Sequence, residues 1–377
     1  MSKNLKFLAY YLPQYHPIKE NDEWWGKGFT EWTNVKKAKP LFKGHHQPIV
    51  PGELGYYDLL KQPEIQERQA QLAKEYGVDG FIYYQYWFGN GKMLLEKPAE
   101  QMLQNKNVDI PFCFCWANET WKGIWHGLDN PNVLIEQTYN GEHDYIKYFN
   151  YLLPFFKDER YVKVDNKPMF HIYKLDDIPD LDLFTSVFNT LAIENGFSGV
   201  YFIATINVNS VNVTENHNIQ GVVGVDKFRF LRYNRKYFFK NNTFLNKIEK
   251  YILYRLGHFD DIGSRTKPVI LDYSKAIATL NITIPHKKFI PCIIPNWDNS
   301  PRSGMKSLIF KNATPKLFYE YLNLTFSKFK EYPDNPPFII LKSWNEWAEG
   351  NYLEPDQKFG VGWLLAVKEA KHKLNKI

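Results

Sequence analysis

Eight apolar stretches, each of the length of a β-strand, recur along this chain of 377 residues. They are rich in Ile, Val, Phe and Tyr, as buried parallel strands are, and segments with helical periodicity separate them. No Pro/Gly/Ser-rich linker divides the chain and no internal repeat is evident. The pattern therefore predicts one (β/α)8 barrel over residues 1–377 rather than two domains. The predicted strands are 6–12, 80–86, 111–117, 168–173, 199–205, 220–225, 289–295 and 338–344.

Three of the intervening segments are predicted to be helices. The clearest is 63–76, where Pro63 suits the first turn. A second, 143–153, is expected to stop at Pro154, because proline cannot donate the next helical hydrogen bond. The third is 181–194.

Long segments follow predicted strands one, three and six. They run over 13–61, 118–142 and 226–288, and we expect them to be loops on the catalytic face of the barrel. Within the last of them, 268–273 could be a further strand.

Aromatic residues make up 17% of the chain, with 11 Trp, 25 Tyr and 28 Phe. This is more ring surface than a core of this size requires, so some rings are available to stack against a flat ligand. The net charge of +6 comes from dispersed lysines, such as those in 36–43 and 368–376, rather than from one dense basic stripe. The charge pattern therefore argues against a nucleic-acid partner.

Residues 1–10 contain no apolar run of signal-peptide length, and no stretch of eighteen consecutive apolar residues occurs. These features predict a cytoplasmic protein without a membrane span. The three cysteines, Cys113, Cys115 and Cys292, are too few for a disulfide framework and are expected to be small buried hydrophobes. The oligomeric state cannot be predicted.

The strongest chemical motif is Ser-Trp-Asn-Glu-Trp-Ala-Glu-Gly at 343–350, directly after the eighth predicted strand. Glu346 and Glu349 are three residues apart, so one turn would bring both carboxyl groups to the same side. Two carboxyl groups among aromatic walls are what glycosidic bond cleavage uses. The alternative is an acidic helix start with two tryptophans in the core.

Other predicted strand ends, and the loop after the first strand, also carry polar and aromatic side chains. Such groups can stack on a sugar ring and hydrogen-bond its hydroxyls, so we expect an oligosaccharide or polysaccharide ligand. The candidate binding residues are Tyr11, Gln14, His16, Glu31, Trp32, His45, His46, Tyr84, Tyr86, Trp87, Trp116, Asn118, Glu119, Trp297, Asp298, Arg302, Asn345 and Trp347.

The adjacent His45 and His46 could suggest a metal, but neighbouring residues are poorly placed to share one ion. No His-Glu-x-x-His or Cys-x-x-Cys motif accompanies them. We therefore expect no metal and no cofactor.

Several long motifs together resemble the WbsX-type proteins of bacterial polysaccharide clusters. They include YYLPQYHP, EWWGKGFTEWTNV, GHHQP, LGYYDL, CWANE, WDNSPR and WNEWAEG, and they span nearly the whole chain. That family is called glycosyltransferase but is similar to glycoside hydrolase family 99, the endo-acting α-mannosidases. The resemblance implies a retaining (β/α)8 enzyme; the mannose specificity is not carried over.

The resemblance also implies roles for two residues. Glu346 would assist through the substrate's own 2-hydroxyl group, giving a 1,2-anhydro sugar, and Glu349 would be the general acid and then the base. The spacing of the two residues does not distinguish this route from direct attack by a carboxylate.

Two other functions stay open. One is a glycosyltransferase of O-antigen or capsule biosynthesis that uses an activated sugar, although the only Asp-x-Asp, Asp180 to Asp182, precedes a helix, where capping is the simpler explanation. No glycine-rich loop follows a strand. The other is a barrel that binds glycans without catalysis. The carboxyl pair favours a hydrolase or transglycosylase.

Overall fold

The structure is a computed structural model that describes residues 5–123, 132–205, 219–225, 267–279, 288–329, 331 and 334–375. Its centre is a closed barrel of eight parallel strands, which confirms the predicted fold class. Each strand pairs with its neighbours in chain order, and the last pairs with the first. The strands are β1 (Lys6–Tyr11), β2 (Gly80–Trp87), β3 (Phe112–Trp116), β4 (Lys167–Ile172), β5 (Tyr201–Thr205), β6 (Ile219–Val225), β7 (Phe289–Ile293) and β8 (Phe338–Leu341).

Helices cover the outside of the barrel and its loop-bearing end. Three of them match the predicted segments 63–76, 143–153 and 181–194, and the last begins and ends at the predicted residues. The described helices are α1 (Lys19–Trp25), α2 (Glu31–Lys37), α3 (Glu64–Glu75), α4 (Lys97–Gln104), α5 (Glu142–Lys157), α6 (Leu181–Glu194), α7 (Tyr273–Thr279), α8 (Ser300–Ser303), α9 (Pro315–Phe329) and α10 (Gly362–Asn375). Within the described residues, none is long and apolar enough to cross a membrane.

The predicted stop at Pro154 is wrong, because α5 continues through this residue to Lys157. Pro154 lies on the exposed face of the helix, and so does Asn150, whose carbonyl loses its partner. Water can hydrate that carbonyl, while Phe155 and Phe156 beyond the proline are buried and hold the last turn against the barrel. Burial of Phe155 and Phe156 thus stabilises the last helical turn more than Pro154 destabilises it.

The open alternative at 268–273 is settled in favour of a strand. Val269–Asp272 pairs in parallel with Leu308–Lys311, outside the barrel. Most of the predicted loop after β6 lies at 226–266 and 280–287, outside the described residues. The predicted loop at 118–142 contains a short antiparallel pair, Trp121–Lys122 with Val133–Ile135.

Aromatic rings fill the inside of the barrel beneath its carboxyl end. The Tyr10 and Tyr84 rings stack with centroids 5.1 Å apart, and the Tyr10 hydroxyl lies 3.3 Å from His171 Nδ1. Burial lowers the pKa of His171 to about 3, so this imidazole is neutral. The barrel is therefore a packed core, and ligands can approach it only from the loops.

Candidate active site

A cavity of about 320 Å³ opens at the carboxyl end of the barrel, where parallel-barrel enzymes place their chemistry. Both predicted catalytic glutamates lie in its wall. Its lining mixes rings with charged groups: Leu12, Gln14, Tyr84, Tyr86, Ala117, Glu119, Trp121, Tyr173, Lys174, Arg302, Lys342, Glu346 and Glu349.

A tight hairpin after β8 presents the two glutamates. Asn345–Glu346 pairs antiparallel with Asn351–Tyr352, and a 3-10 turn, Trp347–Glu349, joins the two short strands. The turn closes at Gly350, whose φ of 53° is left-handed. A Cβ atom on this residue would lie 2.8 Å from backbone oxygen of Asp298, so only glycine fits.

Glu346 is fixed by an ion pair within the cavity wall. Lys342 Nζ lies 2.9 Å from its Oε2 atom, and Asn351 Nδ2 donates to the same oxygen at 3.2 Å. The lysine also donates to the Tyr84 hydroxyl at 3.1 Å. Burial acts to lower the pKa of Lys342, but the Glu346 and Glu349 carboxylates raise it above its ordinary value. Lys342 is therefore a permanent cation beside Glu346.

Glu349 pairs with a different cation. Arg302 Nη1 donates to its Oε1 atom at 3.0 Å, while Arg302 Nη2 donates to Glu31 Oε1 at 2.5 Å. Although burial works in the opposite direction, the two carboxylates raise the pKa of Arg302. Burial raises the pKa of Glu31, whose side chain has no exposed surface, while Arg302 acts against the rise. One guanidinium thus bridges two carboxyl groups.

A third carboxyl group faces the cavity from the loop after β3. Glu119 lies 3.1 Å from Lys174 Nζ. Burial raises the pKa of Glu119, and Lys174 opposes that rise. Asn118 fixes the backbone of Lys174, because Asn118 Nδ2 donates to the Lys174 carbonyl at 2.8 Å. The site therefore interleaves acids and bases rather than presenting one sign of charge.

Behind the hairpin, Glu354 is a completely buried carboxyl group surrounded by donors. Trp344 Nε1 and Gln69 Nε2 donate to its Oε1 atom at 2.9 and 2.6 Å, and Trp347 Nε1 donates to Oε2 at 2.6 Å. The Tyr57 hydroxyl donates at 3.1 Å. Burial raises the pKa of Glu354 to about 7, although these four donors act to lower it. This carboxyl group fastens the hairpin to α3 and to the loop after β1.

The structure separates the eighteen predicted binding residues into groups. Five line the cavity together with the two glutamates, namely Gln14, Tyr84, Tyr86, Glu119 and Arg302. Glu31 does not line the cavity but accepts a hydrogen bond from Arg302. Four others line a second cavity: His45, His46, Trp297 and Asp298. The remaining eight, Tyr11, His16, Trp32, Trp87, Trp116, Asn118, Asn345 and Trp347, line neither cavity and are buried.

The contacts of these buried residues explain their position. Asn345 accepts from Leu12 N at 2.7 Å and donates to Leu12 O at 3.0 Å, which ties the hairpin to the end of β1. The Trp87 ring stacks on Tyr148 outside the barrel, with centroids 4.7 Å apart. Such residues support the walls of the site rather than face a ligand.

His45 has its tautomer fixed by its partners. Leu41 N donates to His45 Nδ1 at 3.0 Å, so the ring proton is on Nε2, which lies 2.7 Å from Asp298 Oδ2. The same carboxylate oxygen accepts from Gln47 at 2.6 Å. Among the described residues, no three His, Cys, Asp or Glu side chains are grouped as metal ligands.

Sequence reasoning missed Lys342, the partner of Glu346, and also Tyr173 and Lys174, which line the same cavity. Lys342 directly follows the apolar run Phe338–Leu341 and precedes Glu346 by four residues. A lone lysine at the end of a buried strand is a usable signal, because charged side chains are almost never buried without a partner.

A protein-family model described as Glycosyltransferase WbsX matches residues 7–367, as the motifs predicted. Two relatives described as "Uncharacterized protein WxcX", both from Xanthomonas campestris pv. campestris, are 33% identical over 365 residues and 32% identical over 372 residues. Each alignment covers 96% of this chain and 49% of the relative. The chain thus spans about half the length of these curated relatives.

Two solved structures of the GH99 endo-alpha-mannosidase from Bacteroides thetaiotaomicron share the fold. They superpose with TM-scores of 0.56 and 0.57 at 14% identity, over 98% of this chain and 97% of theirs. The second contains BIS-TRIS-Propane. At this identity the likeness supports the barrel architecture alone.

We predict that Lys342→Met destabilises the protein by about 3–5 kcal/mol, because it leaves the Glu346 carboxylate buried without its cation. The double variant Lys342→Met/Glu346→Gln should recover much of this loss, since neither charge then remains. Urea unfolding of the wild type, both single variants and the double variant measures the coupling. Additive effects of the two substitutions would show that the pair does not interact.

We predict a pH-dependent contribution of Glu354 to stability. A folded pKa of about 7 lies above the unfolded value of about 4.3, so the folded chain retains a proton that the unfolded chain releases between these values. The contribution is complete below pH ~4.3 and is lost as the pH rises through about 7. Glu354→Gln removes this component, and it also turns an amide NH₂ toward donors, at a cost of about 1–3 kcal/mol.

Urea unfolding of the wild type and Glu354→Gln at pH 5, 6, 7 and 8 tests this. The difference in unfolding free energy should shrink as the pH rises, because only the wild type loses the Glu354 contribution. Glu194→Gln, at an exposed position near the end of α6, is the matched control. A difference that is constant over this range would contradict the prediction.

Proposed function

The chain belongs to the WbsX glycosyltransferase family, and on that premise we propose that it is a retaining carbohydrate-active enzyme. It acts on glycosidic bonds of a bacterial surface polysaccharide or its precursor, as an endo-acting hydrolase or a transglycosylase. The observation that carries the proposal is the pair of carboxyl groups in one cavity, each paired with a different cation. The curated relatives are about twice as long as this chain.

In this proposal, Glu346 is the base that activates the substrate's own 2-hydroxyl group. The Lys342 ammonium and the Asn351 amide fix its orientation. A carboxylate held in this way can accept a proton from the substrate's 2-hydroxyl group, whose oxygen then attacks the anomeric carbon. The glycosidic oxygen leaves with its electron pair, and a 1,2-anhydro sugar forms.

Glu349 is the group that protonates the leaving oxygen. It then takes a proton from the incoming water or sugar hydroxyl, whose oxygen attacks the anomeric carbon, while the bond from that carbon to the 2-oxygen breaks and Glu346 returns its proton to the 2-oxygen. Arg302, the partner of Glu349, favours the charged form of that residue, which would oppose this role if the pair were isolated. Glu31 resolves the conflict, because it leaves Arg302 paired whenever Glu349 carries a proton. The shared guanidinium lets Glu349 change its charge without leaving a buried cation unpaired.

The cavity wall supports a sugar ligand. Tyr84, Tyr86 and Trp121 present rings, while Gln14, Glu119 and Lys174 offer hydrogen-bonding groups. Rings can cover the apolar side of a sugar, and the polar groups can bind its hydroxyls.

Transfer from a sugar nucleotide is the second candidate, and the family's description favours it. The Asp-x-Asp segment gives it little support. Asp180 lies at the start of α6, where its side chain makes no capping hydrogen bond; it accepts a hydrogen bond from Tyr145 instead. The capping explanation for this aspartate is therefore wrong, and its partner is a tyrosine of α5.

We predict that Glu346→Gln and Glu349→Gln each lower the rate of glycan cleavage by about 10²–10⁴-fold, because each removes a proton-transferring group. The assay incubates each protein with polysaccharide from the source cell and with a library of α-linked oligosaccharides. Mass spectrometry follows the fragments, and NMR identifies the anomer that forms first. Glu194→Gln is the matched control and should retain wild-type activity.

Cleavage with retention, lost in both variants, would establish the carboxyl pair. Cleavage with inversion would contradict the proposed route. If folded protein cleaves no glycan but consumes or binds a sugar nucleotide in calorimetry, the transferase is the better account.

A further inference from the structure

A second cavity, of about 730 Å³, adjoins the first one and is larger. It lies between the loop that carries His45, the loop after β7 and the start of α9. Four predicted sugar-binding residues, His45, His46, Trp297 and Asp298, belong to its wall. The mechanism proposed above uses none of these residues, so the cavity calls for a separate explanation.

The two cavities share a wall. The Lys342 ammonium of the catalytic cavity lies 6.0 Å from the centroid of the Trp297 ring, which lines the second cavity. Asp298 N donates to the backbone oxygen of Glu349 at 2.8 Å. Gly350, next to that glutamate, also lines the second cavity. The second cavity therefore lies next to the catalytic one, at the same end of the barrel.

The charges in this wall are mostly positive. Lys43, Lys311 and Lys358 line it and are exposed, whereas the acidic residue among the lining residues is Asp298. That carboxylate already accepts hydrogen bonds from His45, Gln47 and Ser300. An occupant would thus meet three exposed ammonium groups, of which Lys358 Nζ lies 4.8 Å from the centroid of the Phe359 ring, and a carboxylate that is already hydrogen-bonded.

The wall also offers rings. Phe42 and Phe359 are partly exposed at its edge. The Phe42 ring lies parallel to His45, with centroids 4.6 Å apart, so its position is fixed. Partly exposed rings beside cations suit a ligand that has both an apolar face and negative charge.

We infer that the second cavity binds an acidic glycan segment, one whose sugars carry carboxylate groups, beside the catalytic cavity. This inference rests on the proposed function for the identity of the ligand as a glycan. The three lysines that line the wall can pair with carboxylates of such a segment, and the partly exposed rings beside them suit the apolar faces of its sugars.

Affinity electrophoresis in native gels that contain alginate, hyaluronan or neutral dextran tests the inference. All proteins carry Glu346→Gln, so that loss of cleavage cannot alter the result. The test variant is Lys43→Gln/Lys311→Gln/Lys358→Gln. The matched control is Lys147→Gln/Lys157→Gln/Lys373→Gln, which removes the same charge from exposed positions outside the cavity.

We expect at least one acidic polysaccharide to retard the parent protein and the control, whereas dextran does not. The test variant should bind at least ten-fold more weakly. Phe359→Ala should weaken binding at least three-fold even in 0.3 M NaCl, because salt does not screen stacking.

Four results would overturn the inference: equal binding by test variant and control, equal retardation by dextran, no retardation by either acidic polysaccharide, or competition by uridine diphosphate. The last would identify the cavity as a nucleotide site. Because binding is measured without turnover, the result does not depend on whether the glutamates catalyse cleavage.

Discussion

The buried carboxyl group of Glu354 is the contact on which the geometry of the site depends. Donors from α3, from the loop after β1 and from both tryptophans of the hairpin converge on its two oxygens. Because Trp344 and Trp347 bracket Glu346, fixing these indoles fixes the backbone that carries the glutamate. Among the described residues, the hydrogen-bond partners of this carboxyl group are all neutral donors, which is unusual in a core, and burial raises its pKa.

The candidate active-site cavity illustrates a way to keep several charges in a small, largely buried space. Lys342 pairs with Glu346, and Arg302 pairs with both Glu349 and Glu31. Each charge has a partner within hydrogen-bonding distance, so desolvation is offset locally. The arrangement is asymmetric. In the described residues, Lys342 forms an ion pair with Glu346 and with no other carboxylate, whereas Glu349 shares Arg302 with Glu31. In the proposed mechanism, this asymmetry gives different roles to two otherwise similar residues.

Much of the fold could be predicted from the sequence, because buried parallel strands are continuous apolar runs and the eight runs were distinct. The end of α5 could not, since the stability of its last turn comes from Phe155 and Phe156 packing on the barrel, which no local signal at Pro154 reveals. The glutamate pair was visible through its spacing. Lys342 carried a weaker signal, as a charged residue at the end of a buried strand, and its partners Glu346 and Tyr84 are known only once the hairpin and β2 meet.

The predicted sugar-binding residues show where pattern reasoning reaches its limit. A strand end carries side chains that alternate between the barrel interior and the helix layer, so Tyr84 and Tyr86 face the cavity while Trp87 stacks on Tyr148. Residues of the loop after β1 depend on tertiary contacts instead. His45 lines the second cavity because its Nε2 atom hydrogen-bonds to Asp298. The backbone N–H of Asp298 donates in turn to Glu349, in the 3-10 turn that ends at Gly350. The hairpin therefore organises both cavities at once, through its side chains on one side and its backbone on the other.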